Sequence, residues 1–164
     1  MAVANTKSTQ ITAADASPPT LTNSYISAGV LRESVGTVET LAADDAGSLY
    51  RLVRVPSNAR ISSILLATDA ITSASSAEVG VYQTAENGAA VVDRDEFATV
   101  DISSASAFTE VLNEAVATEI DAVEKRLWDK LGLTADPVRD YDICVYVNDV
   151  SAAGTISMKV KWTV

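Results

Sequence analysis

The last ten residues alternate more strictly than any other part of the chain. Ile156, Met158, Val160, Trp162 and Val164 fall on one side, and Thr155, Ser157, Lys159, Lys161 and Thr163 on the other. A period of two with one apolar face describes a half-buried antiparallel strand, which covers a core on one side and meets water on the other. Tyr141 to Val147 alternates as well, with Ile143, Val145 and Val147 opposite Cys144 and Tyr146. Asn148 to Gly154, rich in turn formers, joins the two.

Further strands precede these. Leu49 to Val55 and Arg60 to Thr68 are strand-like and flank a Pro56-Ser57-Asn58 turn. After a Ser/Ala-rich loop from Ile71 to Ala77 comes a short strand, Glu78 to Gln83. Glu86-Asn87-Gly88 reads as a hairpin turn, because Asn-Gly supplies positive φ angles, and Ala89 to Val92 as its return strand. Between the β segments, Phe108, Val111, Leu112, Ala115 and Val116, continued by Ile120, Val123, Leu127 and Leu131, fit an apolar stripe at helical spacing. The expectation is a helical insert over Ser106 to Leu131, of one helix or two, with Thr118 as an N-cap and Gly132 as the residue past its end.

Met1 to Thr40 differs in being rich in Ser and Thr, with Pro18-Pro19 and scattered Ile11, Leu21, Tyr25, Ile26, Val30 and Leu31. It is expected as an extended N-terminal arm, either a floppy tail or a segment that lies on a neighbouring subunit. With 164 residues the chain has room for one core. The expected organisation is an arm over 1–40 and, over 41–164, a jelly-roll-like antiparallel β-sandwich carrying the insert.

Composition narrows the chemistry. The chain has no histidine, which removes imidazole bases, Ser-His-Asp and Cys-His nucleophile systems and histidine metal ligands. One cysteine, Cys144, excludes an internal disulfide and a cysteine zinc site, and among apolar neighbours it reads as a small buried hydrophobe. A net charge of −10 argues against a nucleic-acid partner. No apolar run reaches the roughly 20 residues of a membrane-spanning helix, and Met1 to Thr20 lacks a signal-peptide core, so neither a membrane partner nor export is expected.

Three acidic clusters remain: Asp44-Asp45, Asp93-Arg94-Asp95-Glu96, and Asp136 with Asp140 and Asp142. None has calcium-loop spacing, and a solvated charged loop accounts for the second better than a metal does. Paired carboxylates can run glycoside hydrolysis, but that reaction also wants sugar-stacking aromatics. Aromatics are 5% of the chain, and Trp128 and Trp162 read as core. Arg51 and Arg54, three apart on a strand, are expected on opposite faces, so that with Arg60 they make no patch. No catalytic, cofactor-binding or metal-ligating residue is assigned; an enzyme is not expected.

One layout of residues resembles a known family. It comprises Ser48-Leu49-Tyr50-Arg51-Leu52-Val53-Arg54-Val55-Pro56-Ser57-Asn58-Ala59-Arg60-Ile61, then Thr68-Asp69-Ala70-Ile71 and Glu78-Val79-Gly80-Val81-Tyr82. Near the C-terminus it continues with Leu127-Trp128-Asp129-Lys130-Leu131-Gly132-Leu133, Asp136-Pro137, Tyr141-Asp142-Ile143 and Ala153-Gly154-Thr155-Ile156. From about Leu31 to Val164 it is similar to the small structural proteins of tailed bacteriophages that decorate or cement the capsid exterior. The resemblance implies a jelly-roll-like domain, made in the host bacterial cytoplasm and present in many copies on the virion. Its implied partners are the major capsid protein and other copies of itself, as a dimer or trimer, and it carries over no active site. Two competing expectations are a phage tail or neck component and a receptor- or glycan-binding module.

Overall fold

A computed structural model describes residues 6–71, 76–112, 122–149 and 152–164. Among these lie eight strands: β1 (Arg32–Thr40), β2 (Ser48–Pro56), β3 (Arg60–Thr68), β4 (Ala77–Gln83), β5 (Val91–Val100), β6 (Ser106–Glu110), β7 (Asp140–Val147) and β8 (Gly154–Thr163). Their pairing is nested. β4 pairs with β5, β3 with β6, β2 with β7 and β1 with β8, every pair antiparallel. The chain is thus one long hairpin with the β4–β5 turn as its tip. Rolling that ribbon adds two more pairings, β3 with β8 and β4 with β7. The result is two four-stranded sheets, ordered β1-β8-β3-β6 and β2-β7-β4-β5. This is the jelly-roll form of the β-sandwich.

Alternation explains why the ribbon rolls. Ile156, Met158, Val160 and Trp162 of β8 are all buried, as are Val53 and Val55 of β2, Ile64 and Leu66 of β3, and Val79 and Val81 of β4. They meet Ile143 and Val145 of β7 and Phe97 of β5 in one core between the sheets. Each such side chain contributes roughly 1.5–3 kcal/mol by leaving water. Along one side the two sheets nearly touch. A Cβ on Gly36 of β1 would stand 2.0 Å from the Leu52 carbonyl oxygen of β2, so only glycine lets the two backbones approach there.

The expected hairpin tip is present as a 3₁₀ turn over Ala85–Asn87, with Gly88 at φ +96°. Two expectations need correction. Ser106 to Glu110 is strand β6, not helix: the Glu110 carboxylate accepts from the Ile64 N–H at 2.7 Å and from the Ser63 hydroxyl at 2.6 Å, tying the segment to β3. Of the insert, Leu127–Lys130 forms a short helix, closed by Gly132 at φ +71° as expected. Residues 113–121, with the expected cap Thr118, lie outside the described residues.

The arm over 1–40 is corrected as well. Arg32–Thr40 belongs to the sandwich as β1, because Val38 and Thr40 turn inward while Glu33, Val35 and Glu39 face solvent along the edge. Upstream, α1 (Thr9–Ala14) is a six-residue helix capped by Ser8, with no buried side chain. The segment then fastens onto its own sandwich at Tyr25. Its carbonyl accepts from the Arg60 Nε at 2.6 Å and the Thr163 hydroxyl at 2.7 Å, and the Arg126 guanidinium lies 4.1 Å from its ring centre.

Candidate functional site: surfaces and strand ends

The interior of the jelly roll is filled by aliphatic and aromatic side chains, so its chemistry is displayed outside. On the outer face of the β2-β7-β4-β5 sheet, sequence alternation misplaces two residues. Arg51 pairs with Cys144 and Val53 with Ile143, leaving Leu52 as an extra residue. This bulge reverses the phase of β2, and Arg51 and Arg54 end on the same face. Both reach Asp142: Arg51 Nη1 donates at 2.9 Å and Arg54 Nε at 2.7 Å. The patch that alternation excludes is therefore built, but its positive charge is consumed by one carboxylate. Burial alone would raise the Asp142 carboxyl; hydrogen bonds from Arg54 and Arg51, with their charges, outweigh it and hold the group below the usual carboxylate value.

The same face is roofed by β5. Between Val79↔Ala98 and Val81↔Asp93, β5 carries three more residues than β4 and makes a wide excursion. It passes directly over Gly80, where a Cβ would lie 2.1 Å from the Arg94 carbonyl oxygen. Arg94 pairs with Glu78 and sits 4.6 Å from the Tyr146 ring centre. Beneath this roof Cys144 and Tyr82 are buried, and burial pushes both acids up to about 12. Cys144 is thus an inert thiol on a covered outer face, buried as expected but outside the core.

The acidic clusters serve local structure. Asp44 accepts from the Leu41 N–H at 2.9 Å and the Tyr50 hydroxyl at 2.7 Å, bonds that hold its carboxyl below the ordinary value. Burial raises the Asp93 carboxyl. Asp136 accepts from the Ser57 hydroxyl and the Val138 N–H. No group of three potential ligands is gathered for a metal among the described residues. Trp162 lies in the core, whereas Trp128 is half-buried beside the Ser57 turn, where its backbone N–H donates to the Ser57 carbonyl at 3.0 Å. All five tyrosines are buried or half-buried, and neither tryptophan is exposed. Phe108, the exposed ring, is covered by the Lys159 ammonium, 4.2 Å from its centre.

The two ends of the sandwich differ in kind. At one end, the described residues 41–47, 69–71, 101–105, 148–149 and 152–153 adjoin the strands; they hold Asp44, Asp45, Asp69, Asp101 and Asp149 and no lysine or arginine. The opposite end gathers the Ser57–Ala59 turn, the hairpin tip, residues 111–112 and 122–139 and the Tyr25 fastening. It carries both signs, with Arg60, Lys125, Arg126 and Arg139 beside Glu86, Asp129 and Asp136. A cleft of about 430 Å³ opens there, lined by Arg54, Ser57, Glu86, Asp136, Val138 and Arg139 among others, with no aromatic ring.

No protein-family model matches the chain, and no curated protein matches it in sequence. Among solved structures it is similar to a chain in the capsid asymmetric unit of the cyanophage Pam1, at 17% identity and a TM-score of 0.46, covering 83% of this chain and 86% of that one. It is also similar to a chain in the acid-stable capsid structure of the Helicobacter pylori bacteriophage KHP30, at 17% identity and a TM-score of 0.41, covering 82% of this chain and 94% of that one.

Proposed function

We propose that the chain is a virion structural protein that decorates and cements the exterior of a tailed-phage capsid, bound to the major capsid protein through many non-covalent contacts. The observation that carries this reading is the filled interior. A jelly roll serves as a capsid domain, a lectin or a barrel enclosing a site. Here the inward positions Val55, Ile64, Val79, Val81, Ile143, Val145, Ile156 and Met158 are aliphatic or thioether and fully buried, so they present no polar group to an enclosed ligand. A lectin-like platform of exposed rings has no support either, since the tyrosines and tryptophans are turned in or half-covered. What remains is a rigid block that acts through its surface. The resemblance of Leu31 to Val164 to capsid-decorating proteins, a span that folds into this block, adds to the reading.

A lattice supplies the affinity that one such contact lacks. Many copies, each held by modest contacts, make dissociation of the whole layer improbable and resist expansion of the shell. The N-terminal segment adds reach: Leu21 is fully exposed, and α1 buries none of its side chains. Purified chain, added to shells assembled from the same virus's major capsid protein, should co-sediment to a saturating ratio and appear as density on the outer surface in electron micrographs. Absence of co-sedimentation with intact shells would refute the reading. Removing residues 1–22, which spares the Tyr25 fastening and β1, should leave a folded sandwich with weaker shell binding.

A further inference from the structure

The two sides along which the sheets approach each other differ. Where β1 meets β2, Gly36 lets the backbones touch; where the chain crosses from β5 to β6, the sandwich is open. Thr109 of β6 stands opposite Leu66 of β3, whose side chain is in the core. Paired residues share a face, so Thr109 points toward the other sheet, yet it is exposed. Beside it lies a groove of about 220 Å³. Leu66, Val100, Ile102 and Val111, all buried, form its floor, and Asp101 and Thr109 stand on its rim.

The backbone next to the groove is unguarded. β6 is last in its sheet, so one of its edges pairs with no strand among the described residues. Proteins usually protect such an edge with charge or proline. β1, the opposite edge, carries Arg32, Glu33 and Glu39; Ser106 to Thr109 has neither charge nor proline, and the Glu110 carboxylate is turned onto β3.

The surroundings set the sign of what can dock. From Asp95 to Leu112, the stretch that forms the groove wall, the chain holds four carboxylates and no lysine or arginine. Hydrogen bonds from the Ser103 hydroxyl and N–H hold the Asp101 carboxyl below its ordinary value, so it is charged at neutral pH. The Ile71 N–H donates to the Ile102 carbonyl at 3.1 Å, which brings the loop of Asp69 alongside. Lys159 sits on the outer face of the sheet, over the Phe108 ring.

We infer that this groove receives an extended segment of a partner protein. The segment adds a strand to the β6 edge, sets one large apolar side chain in the pocket and carries lysine or arginine on either side of it. Strand addition supplies main-chain hydrogen bonds, and the pocket selects the side chain. The acidic rim selects the charge and speeds encounter. Assigning that segment to the major capsid protein rests on the proposed function; the chemistry of the groove does not.

Titrating the full chain with a synthetic peptide, followed by NMR, tests the groove. The peptide is a threonine heptamer with a central leucine and a lysine two places to either side. Shifts are expected at Leu66, Ile102, Ser106, Thr109 and Val111. Replacing the leucine by serine, or both lysines by glutamate, should weaken binding at least tenfold. Thr109→Arg and Asp101→Lys in the protein should do the same; both positions are exposed, so the variants should keep the wild-type circular dichroism spectrum. Against shells of the major capsid protein, both variants should lose co-sedimentation, while Arg139→Glu, remote from the groove, should keep it. Shifts that avoid the groove, or peptide binding indifferent to the leucine, would overturn the proposal. So would a concentration-dependent oligomer that Thr109→Arg dissolves, since a second copy would then fill the groove. Shells that bind both variants as tightly as wild type would remove the groove from the capsid contact and leave the decorating role standing. Peptide bound in the groove by a chain that ignores shells would refute that role and uphold the groove.

Discussion

The two outer faces of the sandwich are built on the same pleat and solved differently. On the β1-β8-β3-β6 sheet the outer face is open: Lys161 pairs loosely with Glu33 at 3.7 Å, Thr37 and Ser157 share a hydrogen bond at 2.9 Å, and both pairs sit in water. On the β2-β7-β4-β5 sheet the outer face has a lid of its own, formed by Arg51, Arg54 and the β5 excursion over Cys144, Tyr82 and Asp142. The contrast teaches that a sheet in a sandwich need not have one dry side and one wet side. Where a strand bulges far enough to lie over its own neighbour, both sides become interior, and polar groups there need partners.

The largest expected effect comes from closing the gap under the lid. Gly80→Val places side-chain atoms against the Arg94 and Asp93 carbonyls, so β5 must lift off; we expect a loss of about 3 kcal/mol or more, measured by urea denaturation. Asp142→Asn should come next. It removes the charge that holds two arginines, with a cost of about 2 kcal/mol, below that of a fully buried pair because the Arg54 side chain is half exposed. The pH dependence has a definite sign. The Asp142 carboxyl is depressed in the folded state, so its stabilisation is fully present above the unfolded value near 3.9 and is lost as pH falls through the folded value. Asp142→Asn should therefore flatten the acid limb of the stability profile; an unchanged limb would show that the arginines find other partners.

Labelling reads the lid without altering it. The Cys144 thiol, with its acid pushed to about 12, should resist a thiol reagent in the folded protein and react fully once denatured. Rapid labelling of the native chain would mean that the lid opens. The smallest effect belongs to the open face: Lys161→Ala, at an exposed pair, should change stability by no more than about 0.5 kcal/mol in the same urea titration.

How much of this can be read from the residues follows the same contrast. β8 and β3 are legible because one face is wet and the other dry, and the expected bounds of β3 are those found. β7 is legible from its alternation, which also gives its faces, and β2 and β4 from their apolar runs, but the face that Arg51 and Arg54 share on β2 is not. The Leu52 bulge that brings Arg51 and Arg54 together depends on pairing with β7, and nothing local to β2 announces it. β1 hides because its inward positions include Ser34 and Gly36, chosen for closeness to β2 rather than for bulk. β6 hides because a five-residue edge strand shows too few periods to compete with the helical spacing of the residues after it. The mixed-charge end, assembled from segments far apart in the chain, is a product of topology alone.

The nested pairing also orders events during synthesis. Thr37 and Ser157, joined across β1 and β8, are 120 positions apart, so a ribosome adding roughly 5–20 residues per second emits β1 many seconds before its partner exists. The β4–β5 tip can close early, and each later pair must wait for the one inside it. Until the final strand arrives, the edge of β3 that pairs with β8 is open, and a nascent chain in that interval is a natural client for chaperones.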